Sequence, residues 1–242
     1  MSFSTDITTL AITKMHGGVC TAGIDEAGRW VRPVRRKSEQ APRATGATDY
    51  SLLPIDFFHD GKPHLANLGV TRFYLTEHAP DAPHVEDWTI DSRTKPQLLK
   101  KLSPPEQQDF LISHAEPGVS RLLSPPSASL CLIQPLHFIF LFRAGPSGDD
   151  VVVRSSFITG RHELTDIACT DLRMRALGRA MLAGKRGETE LRLGEGDFWR
   201  QGKSAIYLAV GLSRLYKGKH WPLVVGVHSI PELEVEIDYA RL

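Results

Sequence analysis

The run of residues 7–34, ITTLAITKMHGGVCTAGIDEAGRWVRPV, constrains the chain more than any other segment, because it places two turn signals between three short apolar runs. Ile7, Leu10 and Ile12 alternate with threonines, a composition suited to a pleated strand. The run breaks at His16-Gly17-Gly18 and resumes with Val19, Thr21 and Ile24. It turns again at Asp25-Glu26-Ala27-Gly28, where a glycine supplies the positive φ that a tight turn requires. Trp30 to Val34 reads as a third strand and is flanked by Arg35, Arg36 and Lys37. Three strands connected this closely form the front of a small closed β-barrel.

With 242 residues, 41% apolar and 24% charged, the chain suffices for one large domain or two of ordinary size, and disorder is excluded as its main state. No apolar run reaches the roughly 18 residues of a membrane span, and the N-terminal residues lack a basic flank followed by an apolar core. A cytoplasmic location without membrane association is therefore expected. The three cysteines, Cys20, Cys131 and Cys169, are widely spaced and form no CxxC pair, which argues against a disulfide framework and against structural zinc. A formal charge of +1 excludes a uniformly basic duplex binder, so any nucleic-acid site has to be a local patch.

Residues 35–50 carry almost no large apolar side chain and read as a long exposed loop. Leu52–Phe58 and Leu68–Thr76 read as strands, the first an edge or bulged strand because it contains Pro54. Five strands are then available before residue 80. Residues 79–91 read as a surface connection and 95–102 as a helical turn or two. Ser103-Pro104-Pro105-Glu106 signals a helix start with capping-box spacing, and that helix should reach about His114. The consecutive prolines Pro125 and Pro126 make 123–128 the expected linker between units 1–122 and 129–242.

In the second unit Leu130–Arg143 reads as one core strand kinked at Pro135, turning at 145–149 into VVVRSSFI. Thr170-Asp171 opens a helix, Leu172 to Leu182, with Gly184 as its cap. Arg173 falls in the apolar arc of that helix and calls for a partner, Asp166 or Asp171. Residues 185–202 read as a polar loop, and 204–230 as two strands around a basic aromatic hairpin, followed by the alternating tail LEVEIDYA.

These landmarks resemble the dual OB-containing domain family, a bacterial group with two oligonucleotide-binding-type barrels in one unit. The matching pieces are K-x3-G-V-C-T-A-G with G-R-W-V-R-P-V at Lys14 to Val34, and L-P-I-D-F at Leu53 to Phe57. They continue with S-L-C-L at Ser129 to Leu132, R-S-S-F-I-T-G at Arg154 to Gly160, and T-D-L-R at Thr170 to Arg173. Y-L-A-V-G-L and W-P-L-V-V-G-V follow near the end. The resemblance implies a mainly β fold of two OB-like five-stranded barrels in tandem and a nucleic-acid-binding role, and it brings no catalytic set.

Lys14, His16, Arg29, Trp30, Arg32, Arg35, Arg36 and Lys37 form the first candidate patch. Cations along the phosphates and flat rings under the bases are what hold a single strand, at ~1 to 3 kcal/mol per stacked base. The alternative is that Trp30 fills the barrel interior while the arginines solvate a loop. Arg214, Tyr216, Lys217, Lys219, His220 and Trp221 form the second patch, at a hairpin tip that either closes over a ligand or merely covers the barrel end. Phe198, Trp199, Arg200 and Lys203 are a weaker extension of it. Single-stranded nucleic acid is the favoured partner, with a protein partner as the alternative.

Two catalytic groupings stand as the enzymatic alternative, acting on nucleotides or nucleic acid: Cys20 with His16 across the Gly-Gly turn, and His162, Glu163 and Asp166 near Cys169. Neither these nor His59, Asp60 and His64 supplies the three or four converging ligands of a metal site, so no metal or cofactor is assigned. LGEGD and HDGKPH lack the trailing Lys-Ser/Thr of a phosphate loop, and no GxGxxG follows a strand.

Overall fold

The computed structural model describes residues 2–15, 18–35, 51–123, 125–145, 150–184, 189–237 and 239. The loop expected at 35–50 therefore lies almost wholly outside the described residues, as do most of the 145–149 turn, the start of the 185–202 loop, and His16, Arg36 and Lys37.

The opening hairpins form as expected: β1 (Phe3–Met15), β2 (Gly18–Asp25) and β3 (Trp30–Val34) pair in order. Leu53-Pro54-Ile55-Asp56 does not continue as a strand. Pro54 suits a first helical position and the Asp56 carboxylate accepts the Leu53 amide at 2.7 Å, so Pro54–Phe57 makes a short helix, α1. A small hairpin follows, β4 (Phe58–His59) and β5 (Lys62–Pro63). The fourth barrel strand, β6 (Gly69–His78), alternates inward and outward, with Phe73 and Leu75 in the core. The fifth, β7 (Asp87–Ile90), lies inside the stretch read as a surface connection, and β8 (Gln97–Lys101) replaces the expected helical turn by pairing with β6. Cross-strand pairing at an open edge outweighs the weak helical preference of Gln-Leu-Leu-Lys-Lys.

Strand order β1-β2-β3-β7-β6 closes back to β1, with β3 and β7 parallel. A five-stranded Greek-key barrel of the OB type has this layout. Strand β1 serves both neighbours, pairing with β6 over Phe3–Thr8 and with β2 from Ile7 onward. A bulge in β1 between Thr9 and Ala11 adjusts the faces: Ile7 and Ile12 enter the barrel core, whereas Leu10 and Ala11 point the other way. Beside the bulge, a Cβ on Gly23 would lie 2.0 Å from the Thr8 carbonyl oxygen, so only glycine fits there.

Helix α2 (Pro104–His114) starts as expected, the Glu106 carboxylate accepting the Ser103 amide at 2.7 Å and its hydroxyl at 2.8 Å. The apolar run from Leu130 forms two strands rather than one kinked strand: β9 (Leu130–Ile133) and β10 (His137–Ala144) lie near opposite ends of the second sheet. Pro135 lacks the donor that would let the ladder continue. Then come β11 (Val151–Thr159), β12 (His162–Cys169), α3 (Leu172–Ala183), β13 (Glu190–Gly194), α4 (Glu195–Arg200), β14 (Ala205–Leu212) and β15 (Pro222–Ile230). β13 and α4 occupy the segment read as a polar loop; Leu191, Leu193 and Phe198 anchor them in the core. The order β10-β11-β12-β15-β14, with β12 and β15 parallel, repeats that of the first barrel. Among the described residues no ladder joins β10 to β14; β13 flanks the first and β9 the second.

The Asp171 carboxylate caps α3, accepting the Arg173 amide at 2.6 Å and the Met174 amide at 3.2 Å, and also accepts the Val227 amide of β15 at 2.7 Å. Arg173 is buried as expected, but its ion-pair partner is Glu232, at 2.8 Å, with the Val227 carbonyl accepting a second bond at 2.7 Å. Among the described residues the tail after β15 forms no strand. Leu233 packs into the second core and Tyr239 against the first, where its ring meets Phe57.

A third apolar cluster joins the barrels: Leu10, Ala22, Ile24 and Trp30 from one, Leu130, Leu132, Tyr207 and Val225 from the other. His228, fully buried, bonds the Leu10 carbonyl at 2.9 Å through Nε2. Gly226 lets the backbones meet, since a Cβ there would lie 1.9 Å from the same carbonyl oxygen. No helix among the described residues is long and apolar enough to cross a membrane.

Candidate nucleic-acid interface between the barrels

Where the barrels meet, a pocket of about 430 Å³ opens between β1, β2 and β3 on one side and β14, β15 and the start of α3 on the other. Its apolar walls come from Ala11, Ala22, Leu130, Leu212, Leu223 and Val225, and Lys14, Arg32, Arg175 and Arg214 face it with Asp150. Lys14 and Met15 end β1 before its turn into β2, and Asp150 precedes β11; Ser213 and Arg214 begin the β14–β15 loop. The β6–β7 connection reaches the same place through Asp81, which lies 3.6 Å from Arg214. Loops joining first to second and fourth to fifth strands are the ones that hold oligonucleotides on such barrels. Here the described residues that flank those connections, Met15 and Asp150 beside the first-to-second turns and Asp81 and Arg214 in the fourth-to-fifth loops, come from both barrels to one place.

Carboxylates organise the cations. Asp87, wholly buried, takes Arg32 Nε at 2.6 Å on one oxygen and Arg214 Nη2 on the other. Asp150 takes Arg175 Nη2 at 2.7 and 2.6 Å on its two oxygens. Burial pushes the Asp150 carboxyl up, but the Val151 amide, Arg175 and Lys14 outweigh it and hold the group below the usual carboxylate range. His84, buried beside Arg32 and Arg214, is driven down to about 2 by burial first and by those two guanidinium groups next, so it stays neutral. Its ring lies edge-on to His220 at 5.4 Å.

Of the first predicted patch, Lys14 and Arg32 line the pocket. Trp30 does not offer a ring face: it is 9% exposed, packed against the outside of its own barrel beneath the second. The expectation of a stacking platform at Trp30 is corrected accordingly. Strand alternation carries the reason, since Ile24 pairs with Trp30 and both belong to the face that the second barrel covers. Arg29 folds back on Asp25 at 2.8 Å, and Arg35 on Asp56 at 2.7 Å.

The second patch stays outward. Tyr216 is 61% and Trp221 46% exposed, with Lys217 Nζ 5.3 Å from the Tyr216 ring centroid and Trp221 Nε1 donating to the Tyr216 carbonyl at 3.0 Å. Lys219 pairs with Tyr216 across the tip, and His220 Nδ1 bonds the Ser213 carbonyl at 2.8 Å. Arg214 turns inward to Asp87, linking tip and pocket. Phe198 is core, Trp199 remains 43% exposed, and Arg200 pairs with Asp197 at 2.6 Å. Lys203 Nζ donates to the Glu232 carbonyl at 2.9 Å.

Of the catalytic alternatives, the His162, Glu163 and Asp166 group is not assembled among the described residues, and the Cys20 with His16 pair lies partly outside them. Cys20 Sγ contacts Met15 Sδ at 2.8 Å, and burial raises the thiol more than Arg32 and Arg214 lower it, so it is protonated at neutral pH. Its proposed base, His16, is outside the described residues. On β12, Asp166 pairs with Arg154 at 2.8 Å and His162 with the Ser120 hydroxyl at 3.1 Å, while burial pushes Cys169 far up. His59, Asp60 and His64 lie close together, yet the two imidazoles stack at 3.5 Å with planes 6° apart, which aims their nitrogens in parallel rather than at one point.

Asp87, Asp150 and Arg175 were not singled out as site residues. Arg32 and Asp87 are 55 positions apart, and Arg175 and Asp150 are 25 apart, separations across which no local pattern links them. No curated protein matches the chain. The family model described as the dual OB-containing domain matches residues 5–227. With the first barrel closed and its strand order repeated in the second sheet, the chain belongs to the dual OB-containing domain family.

Proposed function

We propose that the protein is a non-catalytic nucleic-acid-binding module that lays a single strand across the mouth of the inter-barrel cleft. The observation that carries this reading is that residues of both barrels meet on one pocket faced by Lys14, Arg32, Arg175 and Arg214. Lys14 and Arg175 hold phosphate at the pocket. Lys217 and Lys219 extend the track along the tip, where Tyr216 and Trp221 stack with bases. Arg32 and Arg214, tied to Asp87, contribute field and fixed donors rather than mobile charge. Trp30 acts only by holding the barrels in register.

Fluorescence anisotropy with a labelled single strand, titrated against salt, tests this. About three or four neutralised phosphates give a log-log slope near −2 to −3, and each Lys→Gln change at Lys14, Lys217 or Lys219 reduces it by about 0.7. Trp221→Ala weakens binding by about tenfold without altering the slope. No binding at low salt discards the reading. The exposed Leu215 beside Tyr216 and Trp221 favours a protein partner instead; capture that survives nuclease treatment supports that alternative.

A further inference from the structure

The arginines at the pocket are matched by carboxylates. Arg32 and Arg214 share Asp87, Arg214 also faces Asp81 at 3.6 Å, and Arg175 is held by Asp150. What the cavity offers a ligand beyond these pairs is mainly apolar surface. Its polarity is graded along the strands. In β1 the lining runs from Ala11 through Thr13 to Lys14, and in β14 from Leu212 through Ser213 to Arg214, apolar toward the joint and polar toward the loops. The apolar end is continuous with the cluster that joins the barrels, to which Ala11, Ala22, Leu130 and Val225 belong.

Resting on the nucleic-acid reading, we propose that this pocket takes one nucleobase, turned out of the stack of the bound strand, with its sugar and phosphate left at the mouth. Three features point to that ligand. A strand that only crossed the mouth would leave the aliphatic floor uncovered, and the base is the part of a nucleotide with broad faces able to cover it. A volume of about 430 Å³ lies near the lower end of pockets that enclose a small organic ligand, which is room for one base with its sugar and not for a stacked run. No Phe, Tyr or Trp lines the cavity among the described residues, so this base is gripped between aliphatic walls while its neighbours stack on Tyr216 and Trp221. Ser213 ties the two places together, since it lines the cavity and its hydroxyl accepts the Trp221 amide at 2.9 Å. The tip then sets affinity for any strand, and the pocket senses one position in it.

The test uses an oligonucleotide trimmed to the shortest length that binds, so that its register cannot slide, and removes one base at a time as an abasic residue. Loss of the inserted base should weaken binding about tenfold or more, the size of one lost base contact. 2-Aminopurine at that position should brighten on binding, because the walls carry no ring, whereas at a position stacked on Tyr216 or Trp221 it stays quenched. Leu223→Phe fills the cavity from a half-buried wall and should bring the intact strand down to the affinity of the strand abasic at that position. Trp221→Ala should weaken both strands and keep the tenfold difference between them. If Leu223→Phe does not fold, the abasic scan and the fluorescence, both on the parent protein, decide. An abasic penalty that is even along the strand, or 2-aminopurine quenched at every position, overturns the proposal and leaves strand binding intact. A penalty that survives in a folded Leu223→Phe protein overturns it as well. If no strand binds at low salt, the nucleic-acid reading fails and thermal melts with adenosine and cytidine decide the pocket: a raised midpoint that ribose does not reproduce assigns it to a free nucleoside, and no rise rejects the assignment.

Discussion

Replacing Gly226 by alanine should separate the barrels. An added Cβ would lie 1.9 Å from the Leu10 carbonyl oxygen and 3.1 Å from the Leu10 carbonyl carbon, both backbone atoms of the strand opposite. Ordinary contact requires more than 3 Å, so β15 and β1 have to move apart by over an ångström, against an apolar joint that includes Leu10, Val225 and Trp30. Overpacking of this kind costs about 1 to 3 kcal/mol. The same movement breaks the 2.9 Å bond between His228 Nε2 and Leu10, leaving a buried imidazole nitrogen unpaired at about 1 to 3 kcal/mol. A total near 4 kcal/mol should lower the melting midpoint by about 8 to 16 °C in a chain of this size. Gly184→Ala is the control, because a Cβ there meets nothing closer than 3.7 Å. The assay is thermal unfolding by circular dichroism, with strand affinity measured in parallel. A Gly226→Ala protein that melts within about 2 °C of the parent shows that the barrels are not wedged at this point.

Trp30→Ala removes a large side chain from the joint and should cost about 3 to 5 kcal/mol in urea unfolding, where a surface stacking residue would cost little. Asp87→Asn removes the buried carboxylate that Arg32 and Arg214 share, so stability should fall by about 3 kcal/mol while strand binding at low salt tightens, read by denaturation and anisotropy on the same sample. His84 and His228 are held down to about 2 and about 3, burial being the main cause in each. The unfolded chain takes up these protons near pH 6.5 and the folded one does not, so stability is full above that value and falls as pH drops toward 3. Each contributes about 1.4 kcal/mol per pH unit, opposed at the acid end by Asp171, which burial raises and which protonates first in the folded state. Imidazole NMR signals of both histidines should not titrate between pH 7 and 5; if either does, the buried-neutral assignment is wrong.

What could be read from the chain alone was local. The three opening strands, the β14–β15 hairpin, α2 with Glu106 reaching back to Ser103, and α3 with Asp171 at its cap are all set by turns and caps a few residues apart. Elements that owe their state to distant neighbours were missed. Strand β7 exists because Asp87 pairs beside Arg32, and β8 because it lies along β6; β9 and β10 separate because each finds a different partner strand. The site divides the same way. Lys14, Arg32 and Arg214 were identifiable as cations near turns, but their convergence depends on how the barrels pack, and so do Arg175, Asp150 and Asp87. Trp30 misled because a tryptophan between arginines looks the same in sequence whether its face is open or covered by a second domain.

Photo-crosslinking a halogenated single strand to the intact protein, followed by peptide mapping, asks most directly whether the ligand lies where the two barrels meet. Adducts should cluster on Met15, Tyr216 and Trp221, at the pocket and along the tip, and should fade on Lys14→Gln. Adducts confined to the outer face around Leu136, Ile139 and Trp199, with none at the joint, would place the strand elsewhere and leave the shared cleft without its ligand.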